Sequence, residues 1–284
     1  MKLGVITSLW AYAERLSLVA SLERIAALGI KYVDLLGFLH GDPLTLSGSE
    51  KVEVRRRLSK LDLIPGSLVL LPPGNLASRD VDEASQCMQY VKAGIDMIAE
   101  IGGNQVLFNG GKRAFEVPPD ESWQRSVLFM QEAAEYAQRA GVYITLEAEP
   151  YVYFLVHDLG TTLRMVKSVD HPHFLAAIDI GHMNLSREAS DTIEDLKLWI
   201  ARIHLSENDG LLHANAILGT GSVNFGSYLR ALKDSGIDKL LATNGMELIA
   251  VMELGVLGDE IEDPDAYAIR SMEHIRAVAP FMEL

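Results

Sequence analysis

The sequence predicts an α/β protein, a single (β/α)8 TIM barrel over residues 1–284. Three observations predict it. Apolar runs of strand length alternate from end to end with amphipathic stretches of helical spacing, which is the pattern of parallel strands joined by helical crossovers. The alternation occurs eight times, and eight such units close on themselves in roughly 250 residues. No glycine-rich phosphate loop follows an early strand, which disfavours the rival open, doubly wound sheet.

The elements follow in strict order. Residues 2–8 form the first predicted strand, which turns at Ser8-Leu9-Trp10-Ala11 with no phosphate-loop glycines. The first helix, 18–28, is stopped by Gly29. Strand 32–37 and helix 50–61 make the second unit, and strand 66–71 and helix 81–101 the third, with Leu71-Pro72-Pro73-Gly74-Asn75 supplying loop chemistry between them. Strand 105–109 precedes helix 121–140, strand 142–149 precedes helix 161–169, and strand 174–180 precedes helix 192–200. Strand 203–206 with helix 225–234 and strand 248–254 with helix 265–279 complete the eight. Gly102, Gly141 and Gly236 stop their helices as Gly29 does, because a glycine directly after a periodic apolar stretch suits the left-handed residue that ends a helix. Gly219-Thr220-Gly221 lacks the third glycine of a nucleotide loop and reads as a tight loop. No linker or low-complexity tract divides the chain.

Composition narrows the function. Hydrophobic residues make up 49% and charged residues 23%, an ordinary globular balance. The single cysteine, Cys87, allows no intrachain disulfide and fits a reducing compartment. The opening MKLGVITSLW lacks the basic region and apolar run of a secretory signal, so a cytoplasmic location is expected. No apolar run approaches the ~18 residues of a membrane span. The net charge of −14 repels phosphate backbones and argues against a nucleic-acid partner, while leaving a small neutral substrate open.

Active-site groups of such barrels sit at the carboxyl ends of the strands, so ionisable residues set into the late part of an apolar run are the candidates. The fifth run reads Val142-Tyr-Ile-Thr-Leu-Glu147-Ala-Glu149, and alternation places Tyr143, Thr145, Glu147 and Glu149 on the barrel axis. The sixth run carries Asp179, the seventh His204 and the eighth Glu253. Adjacent strands lie about 4.8 Å apart, so Glu147, Asp179, His204 and Glu253 can converge on one ion. Three carboxylates and an imidazole suit one divalent metal, with manganese the first choice and cobalt, magnesium or zinc as alternatives. Glu149, two residues beyond Glu147, is predicted to stand clear of the ion as a base. Asp209 and Glu207 read as loop charges, and His40, His157, His171 and His173 as surface or loop residues. Trp10, Tyr12, Tyr151, Tyr153 and Phe154 are candidates either for an apolar wall against the substrate or for seals at the barrel rim.

Taken together, Leu146-Glu147, Ile178-Asp179-Ile180-Gly181-His182, the run from His204 to Gly210 with His213 and Gly219-Thr220-Gly221, and Met252-Glu253-Leu254 resemble the xylose-isomerase-like barrel superfamily. The branch is that of sugar epimerases and isomerases, inosose dehydratases and endonuclease IV-like enzymes. The resemblance spans essentially the whole chain. It implies the same four metal ligands, with Glu147 and Glu253 doubling as a proton-transfer pair, and it places His182 and His213 beside the ion. Asn109, at the end of the fourth strand, and Trp10, in the first loop, are the remaining substrate-binding candidates.

Departures from the pattern refine the expectation. The endonucleases carry metal-binding histidines where this chain has Leu70-Leu71-Pro72 and Phe108-Asn109-Gly110, and an acidic residue where it has Leu211, so a trinuclear cluster is not expected. Keto-hexose epimerases carry an asparagine shortly after the strand-five glutamate and an arginine after the strand-seven histidine. This chain has Ala148-Glu149-Pro150 and no arginine until Arg230. The function expected is an isomerase or epimerase that moves a proton next to a carbonyl. The alternative is a lyase on a 3-oxo-glycoside or an inosose, and the non-enzyme reading is a binding subunit of the same fold. A homo-oligomer, or a hetero-oligomer with a small partner subunit, is the expected assembly.

Overall fold

The computed structural model describes residues 1–114, 116–255 and 261–283. Eight strands form a closed barrel in the order in which they occur in the chain. They are β1 Lys2–Ile6, β2 Tyr32–Leu36, β3 Ile64–Val69, β4 Gln105–Asn109, β5 Tyr143–Glu147, β6 Phe174–Asp179, β7 Ile200–Leu205 and β8 Ile249–Met252. Every neighbouring pair is parallel, and β1 pairs with β8 to close the ring. The helices are α1 Ser8–Ala13, α2 Leu18–Ala27, α3 Gly48–Lys60, α4 Val81–Ile101, α5 Pro119–Ala140, α6 Leu159–Val169, α7 Ile180–Leu185, α8 Ile193–Leu196, α9 Phe225–Asp234, α10 Ile237–Thr243 and α11 Pro264–Val278. The predicted fold class is therefore the observed one. Among the described residues, no helix is long and apolar enough to cross a membrane.

Alternation along the strands divides the interior into two cores. Val5, Val33, Leu35, Val106, Ile144, Ile178 and Ile203 face outward and join the large apolar cluster shared with the helices. Each such side chain contributes roughly 1.5–3 kcal/mol when fully buried. Inside the ring, Ile6, Tyr32, Ile249 and Val251 form a small apolar plug on the β1, β2 and β8 side. The interior also carries a polar layer: Asp34, Ser67, Gln105, Thr145, Arg202 and His204 are all buried.

Helix ends follow the sequence signals. Gly29, Gly102, Gly141 and Gly236 all take left-handed φ values, between 70° and 99°. Ser47 and Glu50 close a capping box on α3.

Several element boundaries differ from the sequence reading. β5 ends at Glu147, because the Glu149 amide turns away to bond the Val156 carbonyl at 3.1 Å. β7 begins at Ile200, where residues 192–200 had been expected as helix. All six of its residues are buried, and Ile200 pairs with Ala176, so pairing within the sheet overrides the polar residues around it. Short helices α1, α7 and α10 occupy stretches that carried no helix prediction.

Candidate metal and active site

Four strand ends meet at one point. Glu147 is the last residue of β5, and Asp179 is both the last residue of β6 and the N-cap of α7. His204 stands opposite Asp179 in the β6–β7 register, and Glu253 lies just past β8, its amide bonded to the Leu205 carbonyl at 3.0 Å. One ligand-type atom from each of the four lies within 4.8 Å of all the others. His204 Nδ1 is 2.9 Å from Glu147 Oε1 and 3.0 Å from Glu253 Oε2.

The polar accounting fits a cation. Asp179 Oδ1 is fully engaged, accepting from the Gly181 amide at 2.6 Å, the His182 amide at 3.2 Å and Ser206 Oγ at 2.7 Å. Its other oxygen, Oδ2, is buried without a hydrogen-bond partner, as are Glu147 Oε1 and His204 Nδ1. Buried polar atoms are seldom left so. Three converging carboxylates also repel one another unless a positive charge sits among them. Two orphaned carboxylate oxygens and an orphaned imidazole nitrogen at one point could hold a divalent ion.

The protons respond to the same crowding. Burial pushes the Glu147 carboxyl above its ordinary range, and His204 only partly offsets it. Burial disfavours a charged His204, yet Glu147, Asp34 and Glu253 together hold it well above the ordinary imidazole value. Glu253 goes the other way, down to about 2, because the attraction of His204 overcomes its burial. His182 is likewise opposed by burial, but Asp179, Glu149, Glu147 and Glu253 raise it to about 9. Its Nδ1–H donates to the Ala148 carbonyl at 2.7 Å, and Nε2 faces His213 Nε2 at 3.3 Å. His182 and His213 thus stand beside the cluster, and with Asp179 they make a second close group of ligand-type atoms.

The other candidates sort differently. Asn109 is aligned with Glu147 across β4 and β5, and its Oδ1 accepts from the Gly111 amide at 3.0 Å. Glu149 lies in the loop beyond the strand rather than on it, half-buried and near enough for its charge to act on His182 and Tyr153. Trp10 is a correction. It has no exposed surface, and its indole N–H donates to Asp265 at 2.8 Å, so it locks α1 to α11 and has no face for a substrate. The α1 aromatic that senses the site is Tyr12, whose hydroxyl is raised first by burial and then by Glu253. Beyond β5, Tyr151 and Tyr153 stack at 5.6 Å.

Glu207 is a second correction. It is fully buried rather than a solvated loop charge. Oε1 accepts from the Asn208 and Val223 amides at 3.0 and 3.1 Å, and Oε2 from the Gly219 amide at 2.8 Å. It pins the segment that carries His213. The same segment sends Asn215 Nδ2 to Glu253 Oε1 at 3.2 Å.

The sequence reading missed Asp34 and Arg202. Both lie on the barrel axis below the cluster, and Arg202 donates from Nε to Gln105 Oε1 at 3.2 Å. Burial pushes the Asp34 carboxyl up, but Arg202 and His204 outweigh it and hold it below its ordinary value. Asp34 sits in the apolar run Tyr32-Val33-Asp34-Leu35-Leu36, the same signal that singled out Asp179.

Known proteins share this plan. Fructoselysine 3-epimerase of Shigella flexneri is 23% identical over 210 residues, covering 73% of this chain and 72% of that one. L-ribulose 3-epimerase of Mesorhizobium japonicum is 25% identical over 247 residues, covering 83% and 78%. Among solved structures, a D-tagatose 3-epimerase-like protein superposes with a TM-score of 0.82 at 20% identity over 99% of this chain and 98% of its own. The IOLI protein with a zinc atom superposes with a TM-score of 0.83 at 16% identity over 99% of each. At such identities the structural likeness speaks for the fold. A profile of the xylose isomerase-like TIM barrel family matches residues 22–278. The chain belongs to the xylose isomerase-like TIM barrel family.

Proposed function

We propose that this protein is a divalent-cation-dependent sugar epimerase that moves a proton at a carbon next to the carbonyl of a ketose or keto-sugar derivative. The observation that carries the reading is the convergence of Glu147, Asp179, His204 and Glu253, with four of their buried ligand-type atoms, Glu147 Oε1, Asp179 Oδ2 and both ring nitrogens of His204, lacking a hydrogen bond. The sugar 3-epimerases among the relatives support it. They lend no support to the elimination reading.

Glu147, Asp179, His204 and Glu253 would hold the ion, with manganese the first choice and cobalt, magnesium or zinc as alternatives. Such a cation supplies a Lewis acid that polarises a substrate carbonyl and acidifies the neighbouring C–H. The chain's own groups do the rest. Glu147 and Glu253 approach from β5 and from beyond β8, so one carboxylate can take a proton from the carbon while the other returns one from the opposite side, as inversion requires. His182, anchored by Nδ1–H on the Ala148 carbonyl, turns Nε2 to the same space as His213, where the two rings can bond a substrate hydroxyl. Asn109 and Tyr12 flank the same space, and Glu149, near His182 in the loop, is a further base.

The test is isotope exchange. Manganese-loaded protein is incubated in deuterated water with a panel of ketoses and 3-keto-glycosides and followed by NMR. The expected result is one carbon-bound deuterium and the appearance of one epimer. Release of a leaving group would move the protein to the lyases, and absence of both exchange and release across the panel would overturn the reading.

A further inference from the structure

The four-residue cluster rests on a second charged layer inside the barrel. Asp34 of β2 is completely buried, and both its oxygens are occupied from β3: Oδ1 accepts from the Ser67 amide at 2.8 Å and Oδ2 from Ser67 Oγ at 2.6 Å. The carboxylate therefore has a fixed orientation. In that orientation Oδ2 also lies 3.5 Å from His204 Nε2 and 3.7 Å from Arg202 Nε. These are ion-pair distances, longer than a good hydrogen bond. Arg202 and His204 share one face of β7, two residues apart, so a single carboxylate reaches both.

The chain keeps room for this arrangement. A Cβ on Gly66 of β3 would lie 2.5 Å from the Arg202 guanidinium and 2.5 Å from Asp34 Oδ1. Only glycine lets these two charged groups sit side by side against the β3 backbone.

His204 is thereby bracketed. One ring nitrogen, Nδ1, faces the carboxylates of Glu147 and Glu253, and the other, Nε2, faces Asp34. A neutral imidazole carries one proton, on one nitrogen or the other. An anion fixed beside Nε2 favours the proton there and leaves the Nδ1 lone pair free to ligate.

We propose that Asp34 is a positioning residue for His204: it holds the ring in the Nε2–H tautomer with Nδ1 presented to the cation, and Arg202 is the countercharge that lets a carboxylate occupy the barrel axis. The proposal rests on the metal reading of the cluster, and its test separates the two.

The protein is labelled with 15N-histidine and loaded with Zn2+, which is diamagnetic. Heteronuclear NMR then reports which nitrogen of His204 carries the proton, with the resonance assigned by its loss in His204→Asn. A wild-type chain that binds no divalent ion sinks the metal reading itself. Binding with Nε2 protonated is the expected result. Binding with Nδ1 protonated and Nε2 ligated overturns the role of Asp34, and this measurement needs no Asp34 variant.

A second arm uses Co2+ titrations of Arg202→Met and of the double variant Asp34→Asn/Arg202→Met, which leaves no unpaired charge in the barrel. The expected result is a roughly 10–100-fold weaker affinity in the double variant than in Arg202→Met, the usual effect of losing an outer partner of a metal-bound histidine. A shifted visible Co2+ spectrum accompanies it. A folded double variant with the affinity and spectrum of Arg202→Met would overturn the proposal.

Discussion

The two halves of the barrel are built alike and do different work. β5 and β6 end in Glu147 and Asp179, β7 carries His204 one residue before its end, and β8 leads into Glu253. β1 to β4 bring no metal-type ligand to the mouth: β1 ends at Ile6, β2 at Leu36, β3 at Val69 and β4 at Asn109. Yet the plain half is not idle. It places Asp34, Ser67 and Gln105 on the axis: Ser67 fixes Asp34, which meets His204 and Arg202 from below, and Gln105 accepts from Arg202. One half presents clustered ionisable groups to the mouth, and the other supplies the fixed charges on which they stand. A carboxylate's role is therefore set by its depth along the strand and by its neighbours rather than by its residue type.

The largest contrast between the halves is expected from paired substitutions. Glu253→Gln should weaken Mn2+ binding by more than ~100-fold, beyond the range for an outer partner of a ligand, and should abolish turnover. Asn109→Ala should leave Mn2+ binding unchanged and raise KM by about tenfold, the size of one hydrogen bond. Calorimetry with Mn2+, together with initial rates on the substrate identified by deuterium exchange, reads both. Equal effects on metal affinity would erase the division between the halves.

Glu149→Gln sharpens the comparison within the half that carries the cluster. Glu149 lies outside the four-ligand group but close enough to act on His182. The variant should keep its cation affinity and lose roughly 10²–10⁴-fold in kcat, the usual range for a general base. Unchanged kcat would leave proton transfer to Glu147 and Glu253 alone.

The smallest effect is expected at Glu188, a half-buried carboxylate outside the four-residue group. Burial raises it from 4.5 to about 7, against the bond from the Leu159 amide. The folded chain thus keeps a proton that the unfolded chain releases between those values, so this group's contribution to stability falls as pH rises from about 4.5 to 7 and is then constant. Glu188→Gln should raise the Tm by a few degrees at pH 8, and the gain should vanish near pH 4. A gain independent of pH would assign the effect to packing instead.

Much of this was legible in the residues themselves. Period-two and helical patterns gave the order of all eight strands, because each strand and each helix must bury one face against the other. The ionisable interruptions at 147, 179, 204 and 253 stood out because a charge in an apolar run is costly unless something requires it. Other features depended on the closed ring. Whether Glu149 belonged to the strand was decided by its amide turning to Val156, a contact made by the loop. That Trp10 is sealed against Asp265 follows from α1 meeting α11, 255 residues apart in the chain. The register of β7 followed Ala176 on its neighbour rather than its own polar residues. Asp34 carried the same local signal as Asp179, but its meaning lay in partners on β3 and β7. A sequence pattern reports which face of an element is buried, and only closure of the barrel decides which buried charges share that space.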